Sequence, residues 1–188
     1  MIEVSKNLFV GNEDEYKQNR YLMNEWRIIH ACKEPYHREI MGYTGRAAPK
    51  QRGYHYVYDS KGDLFMNIID GVPAQYYDFF MMREAVLCAV KAFENNKKVF
   101  VHCNQGESRA PIIAMLIMRT INKLTGSFQN SFFEFKKIYA SINPSNGICE
   151  FASKNWNLFS PSAMVEIIKK RKNEPCRVNY LSAYPLFD

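Results

Sequence analysis

A cysteine and an arginine spaced for phosphate chemistry lie in the middle of the chain. Residues 102–109 have the sequence His-Cys-Asn-Gln-Gly-Glu-Ser-Arg, between an apolar run at 98–101 and a longer one at 111–118. A loop between a strand and a helix can turn its amides inward around an anion, and the helix adds the positive end of its dipole. In that field we expect Cys103 to ionise well below the usual thiol pKa of about 8.5. The pattern predicts a thiolate nucleophile in a phosphate-binding loop.

The remaining residues of this loop are expected to hold the phosphate. Arg109 can donate two parallel hydrogen bonds to phosphate oxygens, and Gly106 allows a turn that a Cβ atom would obstruct. The hydroxyl of Ser108 is expected to stabilise the loop. The predicted phosphate-binding residues are Asn104, Gln105, Gly106, Glu107, Ser108 and Arg109.

The same cysteine-to-arginine spacing occurs once more, at residues 32–38. There Pro35 removes one of the amides that an anion would need, and the segment has no glycine. Helix-forming sequence after this segment stops at Gly42, so no long helix follows. We therefore reject Cys32 as the nucleophile, because spacing alone is weak evidence and only the copy at 103–109 has the strand, the glycine and the helix.

A phosphatase must also protonate the oxygen that leaves phosphorus, and a carboxylic acid usually does so. Residues 66–69, which are apolar except for Asn67, predict a strand that runs into a loop with Asp70 at its exit, followed by Gly71 and Pro73. We predict Asp70 as the general acid, although an aspartate before glycine is also common in ordinary turns. Asp63, before the strand, and Asp78, on the next predicted helix, are weaker candidates.

The signature His-Cys-x-x-Gly-x-x-Arg between a strand and a helix resembles that of the cysteine-dependent protein tyrosine phosphatases. The short chain is most similar to the dual-specificity branch. Within that branch, the Arg-Ala-Pro sequence at 109–111 and the Asp-Gly-x-Pro sequence at 70–73 resemble the phosphatases of regenerating liver. The resemblance implies phosphomonoester hydrolysis through a cysteinyl phosphate, with Asp70 in the place of the family's acid.

The resemblance also implies roles for supporting residues. His102 should steady the loop by bonding to nearby backbone rather than transfer protons. Asn146, in a segment similar to the family's loop before its last helix, should support the catalytic loop, with a plain turn residue as the alternative. Residues 28–34 resemble the surroundings of a redox cysteine, which implies a reversible disulfide between Cys32 and Cys103 that protects the nucleophile from over-oxidation. A buried apolar cysteine is the alternative for Cys32.

Ala110 departs from the family pattern. Many relatives have serine or threonine there, and its hydroxyl assists the sulfur when water cleaves the phosphoenzyme. With Ala110 we expect efficient phosphorylation of the thiol followed by slow turnover. This residue keeps open a second interpretation, in which the chain is a slow-turnover module that binds phosphoproteins.

The loop's own charges suggest the substrate. It carries no lysine, and the acidic Glu107 should repel a polyanion. Phosphotyrosine of proteins is therefore the predicted substrate, with phosphoserine and phosphothreonine as further candidates. A phosphatase for RNA 5′ ends, nucleotides or phosphoinositides remains the alternative, slightly favoured by the basic segments of the chain.

Composition sets the wider expectations. The chain has 188 residues, 47% of them hydrophobic, and a net charge of +6, which suits one domain with a sizeable core. The basic run 169–172 and the cluster of Arg46, Lys50 and Arg52 are either solvated surface or a contact for an acidic partner, nucleic acid or an anionic membrane. No apolar stretch approaches the length of a transmembrane helix. Five cysteines without a Cys-x-x-Cys pair predict a reduced cytoplasmic protein with no metal and no cofactor.

Hydrophobic periodicity completes the prediction of the fold. We expect an α/β protein with a twisted mixed central sheet flanked by helices, and a single catalytic domain at 1–165 followed by a basic tail at 166–188. The segment 42–62 is expected to be a long insertion, formed as a hairpin or as ordered loop beside the site. The predicted strands are 7–10, 27–31, 64–69 and 98–101, and the main predicted helices are 14–25, 75–94 and 148–159.

Overall fold

A six-stranded mixed sheet lies at the centre of the protein. The computed structural model describes residues 1–50 and 54–173, with side chains described up to residue 170. The lateral order of the strands is β1-β2-β6-β3-β5-β4. The inner neighbours β2, β6, β3 and β5 run parallel, and the edge strands β1 and β4 pair antiparallel with β2 and β5. The strands are β1 (Ile2–Ser5), β2 (Leu8–Gly11), β3 (Arg27–His30), β4 (Tyr56–Tyr58), β5 (Leu64–Met66) and β6 (Val99–His102).

Seven α-helices connect and cover the strands in the described part of the chain. They are α1 (Glu13–Asn19), α2 (Arg38–Met41), α3 (Phe79–Glu94), α4 (Arg109–Thr120), α5 (Phe128–Ile138), α6 (Asn146–Asn155) and α7 (Pro161–Asn173). Short 3₁₀ turns follow α1 and α6 and precede α3, and a π-helical turn at Lys33–His37 leads into α2.

The catalytic signature lies between the two most buried elements of the fold. All four residues of β6 are buried, as expected for a parallel strand that is covered on both faces. Helix α4 is apolar nearly all round, and Ala110 and the residues 112–117 have no exposed surface. A helix of that composition belongs in the interior. The loop between β6 and α4 is therefore fixed at both ends by the core.

The predicted α/β class with a mixed central sheet is confirmed. The predicted strand at 64–69 is shorter, Leu64–Met66, because the chain leaves the sheet before it reaches Asp70. The predicted helix at 75–94 divides into a 3₁₀ turn at Ala74–Tyr76 and α3, whose N-terminus is capped by Asp78. The edge strand β1 was not predicted, because four residues with mixed exposure carry too little pattern.

The segment 42–62 contains β4, which forms a hairpin with β5. Residues 51–53, including Arg52 of the predicted basic cluster, lie outside the described residues. Helix α7 continues through the predicted domain boundary at 165, and the tail from residue 174 onward also lies outside the described residues. Within the described ranges, no helix is both long enough and apolar enough to cross a membrane.

Candidate active site

The phosphate loop, residues 103–109, turns its carbonyl groups outward. The carbonyl of Asn104 accepts a hydrogen bond from the amide of Glu13 at 3.2 Å, and that of Glu107 accepts one from the amide of Asn143 at 2.8 Å. The hydroxyl of Tyr139 donates to the carbonyl of Gly106 at 3.0 Å. Three elements outside the loop thus hold its carbonyls away from the centre.

The amides of the same loop are left for a ligand. In the part of the chain that the structure describes, the N–H groups of residues 104–109 donate to no protein acceptor. Gly106 has a φ of 78°, and a Cβ atom there would come within 3.0 Å of the backbone of Gly11. Only glycine fits this position without strain. Amides at the N-terminus of a helix that donate to no protein group are available to bind an anion, so phosphate binding by this loop stays a prediction.

Hydrogen bonds to other parts of the protein fix the side chain of Arg109. Its side chain is buried, and it donates from Nη1 to the carbonyl of Ile68 at 3.2 Å and from Nη2 to Oδ1 of Asn104 at 2.8 Å. Asn104 in turn donates from Nδ2 to Glu13 Oε2 at 3.0 Å and to the carbonyl of Glu34 at 2.9 Å. The guanidinium is therefore pre-oriented, and its buried Nε has no hydrogen-bond partner in the described residues.

Asp70 reaches the phosphate loop, as the sequence predicts for a general acid. Ser108 Oγ donates to Asp70 Oδ1 at 2.7 Å, and Asp70 Oδ2 lies 3.8 Å from Nε of Arg109. The amide of Ser145 donates to Ser108 Oγ at 3.0 Å. Because this amide occupies a lone pair of the hydroxyl oxygen, the hydroxyl proton is directed to the carboxylate.

The acid loop, residues 70–73, is anchored on the start of α6. The hydroxyl of Tyr77 accepts from the amide of Gly71 at 3.0 Å and donates to its carbonyl at 2.9 Å. The hydroxyl of Ser145 lies 3.2 Å from that of Tyr77. Gly147 packs so closely that a Cβ atom there would lie 2.3 Å from the carbonyl oxygen of Val72. These contacts within the protein fix the position of the acid loop and therefore of Asp70.

The two weaker acid candidates lie elsewhere. Asp63 Oδ1 accepts from the amide of Ile28 at 2.9 Å and pairs with Arg27, at the edge of the sheet opposite the phosphate loop. Burial raises the pKa of Asp63 to about 6. Asp78 caps α3 by accepting from the amide of Met81 at 2.8 Å. Neither carboxylate is placed at the phosphate loop.

The structure does not bring Asn146 to the phosphate loop. Its side chain is exposed and lines a cavity of about 310 Å³ between α5 and α6, beside Phe128 and Phe132. The residue before it, Ser145, makes the contacts to Ser108 and Gly71 instead. Successive residues at the start of a helix point about 100° apart, so a shift of one position exchanges the inward and outward side chains.

His102 lies beneath the loop, fully buried, with Nε2 2.6 Å from Nδ1 of His30. Burial lowers the pKa of His102 to about 3. The imidazole is therefore neutral at physiological pH, which agrees with a supporting role and not with proton transfer to substrate.

Cys32 is buried and is a free thiol, as is Cys103. Burial raises the pKa of the Cys32 thiol and outweighs the opposing effect of the positive charge on Arg109. Arg38, the arginine of the second spacing motif, is engaged with Glu34 at 2.5 Å. These features agree with rejecting Cys32 as the nucleophile, and the disulfide with Cys103 stays a prediction about the oxidised protein.

Sequence reasoning missed the residues that hold the loops from a distance. No role at the site follows from the sequence for Tyr139, Glu13, Ser145 or His30. Each acts through a contact between segments far apart in the chain. The resemblance of residues 143–148 to the family's loop before its last helix did point to this part of the site. The residue there that contacts the phosphate loop is Ser145, one position before Asn146.

A metal site is not apparent in the described ranges, since no three His, Cys, Asp or Glu side chains are grouped to hold an ion. The proposed thiolate chemistry makes no use of one.

No protein-family model matches the chain, and no curated protein matches it significantly. Solved structures do share its fold. The DUSP15 crystal structure is 16% identical, with a TM-score of 0.60 over 91% of this chain and 96% of that one. A leucine-rich-repeat and phosphatase domain protein from Entamoeba histolytica is 14% identical, with a TM-score of 0.56 over 93% and 95%. The human tyrosine phosphatase-like serine/threonine/tyrosine-interacting protein is 15% identical, with a TM-score of 0.53 over 85% and 97%. The chain thus has the dual-specificity phosphatase fold.

Proposed function

We propose that this chain is a cysteine-dependent phosphatase that hydrolyses phosphomonoesters through a cysteinyl-phosphate intermediate. The observation that carries the proposal is the arrival of Asp70 at the phosphate loop, 2.7 Å from Ser108 Oγ. It adds an acid to a buried cysteine, a set of free amides and an oriented arginine. A nucleophile, an anion site and an acid are the parts that two-step phosphoryl transfer needs.

In the first step the Cys103 thiolate attacks phosphorus and the bond to the ester oxygen breaks. The leaving oxygen takes a proton from the carboxylic acid of Asp70. The amides of 104–109 and the guanidinium of Arg109 bind the three equatorial oxygens, where negative charge is concentrated in the transition state. The product of this step is a phosphorylated cysteine and a free alcohol or phenol.

In the second step water attacks the same phosphorus. Asp70, now a carboxylate, accepts a proton from that water, the phosphorus–sulfur bond breaks, and inorganic phosphate leaves. The sulfur departs as a thiolate and the enzyme returns to its starting state. Ala110, buried at the start of α4, offers no hydroxyl to the departing sulfur. This second step is therefore the slow one.

Proteins bearing phosphotyrosine are the proposed substrates, with phosphoserine and phosphothreonine as further candidates. Support comes from the loop side chains. Gln105 and Glu107 are exposed at the mouth, and Asn104 is engaged with Arg109. The loop therefore presents one carboxylate and no lysine to an approaching substrate. RNA 5′ ends, nucleotides and phosphoinositides are the alternative substrates, and their extra negative charge would meet Glu107.

A slow-turnover binding module is a second candidate function. Ala110 favours it, because a chain that completes few catalytic cycles would act mainly by binding its phosphorylated partner. A solved structure with this fold, the human tyrosine phosphatase-like interacting protein, is described as an interacting protein. The chain has Cys103, Asp70 and Arg109 together, and this favours an enzyme over a binding module.

The deciding experiment follows cleavage of an aryl phosphate in single-turnover and steady-state modes, with wild type and Cys103→Ser compared. The enzyme should release a burst of phenol equal to the enzyme concentration and then turn over slowly, and the variant should give neither phase. Absence of cleavage by wild type, with vanadate binding retained, would support the binding module. Rates on phosphopeptides and on triphosphorylated RNA then separate the substrate classes.

A further inference from the structure

A second imidazole lies directly behind the histidine of the catalytic signature. His30 is the last residue of β3 and is paired in register with His102, the last residue of β6. Nδ1 of His30 and Nε2 of His102 are 2.6 Å apart, and both rings are buried. Two nitrogens at that distance share one proton, so one ring donates and the other accepts.

Both rings are neutral in the folded protein, because burial lowers the pKa of His30 well below its usual value and that of His102 to about 3. A neutral imidazole has one protonated and one bare nitrogen. The tautomer of either ring consequently fixes the tautomer of the other.

The other nitrogen of His102 has no partner. Its Nδ1 is buried and makes no hydrogen bond in the described residues, so the contact with His30 is the hydrogen bond that holds this ring. Loss of His30 would leave the buried imidazole of His102 without that contact.

Aromatic neighbours hold the two rings in place. Tyr16 stacks on His102 with ring centroids 4.7 Å apart and planes inclined by 5°. His30 stacks against Tyr36 at 4.6 Å and against Phe65 at 4.3 Å. Because rotation of either ring would break this packing, the hydrogen bond between them is preorganised rather than formed on binding.

We propose that His30 is a positioning residue for the nucleophile, acting through the proton that it shares with His102, the residue directly before Cys103. The proposal rests on the proposed phosphatase function for its kinetic consequence and on geometry for the hydrogen bond. Without His30, the ring of His102 loses its hydrogen bond, and the backbone that carries the thiolate is less well fixed.

The test compares two variants of His30 with a control variant at Phe65, and adds spectra of the histidine rings. His30→Asn keeps an N–H donor at the δ position, and His30→Leu removes it while keeping an apolar side chain. His30→Leu should slow the single-turnover phosphorylation of Cys103 by about tenfold, the worth of one hydrogen bond, whereas His30→Asn should stay within about twofold of wild type. Vanadate affinity, which depends on the loop amides, should be retained in both. Phe65→Leu, which loosens the packing and keeps the donor, should also stay within about twofold.

Long-range proton–nitrogen correlation spectra of the histidine rings read the tautomer directly and need no catalytic activity. Wild type should show complementary tautomers, with a proton on one of the two facing nitrogens, His30 Nδ1 or His102 Nε2, and none on the other. Protons on both or on neither, or equal rates for the Asn and Leu variants, would overturn the proposal. If His30→Leu does not fold, the Asn variant and the wild-type spectrum still decide. A wild type that cleaves no phosphate ester would overturn the proposed function. The spectra would still test the hydrogen bond between His30 and His102, because they need no catalytic activity.

Discussion

The carboxylate of Asp70 has two partners in the phosphate loop. Its Oδ1 accepts a hydrogen bond from Ser108 Oγ at 2.7 Å, and its Oδ2 lies 3.8 Å from Nε of Arg109. A phosphate dianion in the loop would compete with Asp70 for Arg109. We expect Asp70 to exchange this partner for the leaving oxygen when substrate binds.

Replacement of Asp70 tests its role at the scale of one residue. Asp70→Asn should slow cleavage of phenyl phosphate, whose leaving group needs a proton, by about 10²–10⁴. Cleavage of an ester with an activated phenol should fall much less. Asp78→Asn is the matched control, because asparagine also caps a helix and Asp78 is the N-cap residue of α3, not part of the phosphate loop. Equal losses on both substrates would contradict the assignment of Asp70 as the acid.

Ala110→Ser tests the slow second step. A hydroxyl at this position can hydrogen-bond the departing thiolate, and a hydrogen bond to a charged group is worth about 1.5–3 kcal/mol. The steady-state rate should rise by about tenfold or more, with the burst unchanged. The measurement is a stopped-flow trace that gives both phases in one experiment.

Its control makes the same substitution one turn later on the same helix. Ala114 is as fully buried as Ala110, but it is one helical turn farther from the loop. Ala114→Ser should leave the steady-state rate unchanged. If Ala110→Ser does not increase turnover, the slow step has another cause.

At the scale of elements, the acid loop depends on the start of α6. A Cβ atom at Gly147 would lie 2.3 Å from the carbonyl of Val72 and 2.4 Å from that of Gly71, both backbone atoms that cannot simply rotate away. Gly147→Ala should destabilise the protein by about 1–3 kcal/mol and should displace Asp70, so that activity on phenyl phosphate falls more than activity on an activated ester. Urea unfolding and the two assays measure these effects.

Gly45→Ala provides a matched control for this substitution. The nearest atom to a Cβ at Gly45 is 3.8 Å away, an ordinary contact. Its unfolding free energy and both activities should remain close to those of wild type. A Gly147→Ala protein with the same behaviour would show that the acid loop does not rest on α6 as the structure indicates.

Local segments of the site could be predicted from sequence, and contacts between distant segments could not. Cys103, Arg109 and the buried helix after them follow from one continuous stretch, and Asp70 from the strand that precedes it. Tyr139 and Ser145 reach the site from α5 and the α5–α6 connection through tertiary packing. Nothing in their own neighbourhood distinguishes Tyr139 from a core aromatic. The error at Asn146 is of the same kind, because one residue of register decides which side chain faces the loop.

For the whole molecule, the buried histidines make folding sensitive to acid. His30 and His102 take up protons near pH 6.5 when unfolded, and both resist protonation when folded. Stability should therefore fall as the pH drops below 6.5, by about 1.4 kcal/mol per pH unit for each histidine. Asp63 opposes this loss. Its folded pKa of about 6 exceeds its unfolded value, so protonation of Asp63 favours the folded state between pH 6 and 3.8.

Urea unfolding between pH 7 and 5 would measure this balance. Wild type should lose stability toward pH 5, and Asp63→Asn should lose it more steeply because the opposing carboxylate is absent. A stability that is constant over this range would mean that the histidines are protonated or solvated in the folded protein. A shallower slope in Asp63→Asn would mean that the pKa of Asp63 is not raised by folding.

The outward carbonyls and free amides of the phosphate loop have a practical consequence. Amide donors respond to the charge and tetrahedral shape of an oxyanion and not to the element at its centre. Sulfate, arsenate and inorganic phosphate should therefore compete with substrate for the phosphate loop. Rates of phosphate-ester cleavage measured in phosphate or sulfate buffers would be too low, and a buffer free of tetrahedral dianions would remove this inhibition.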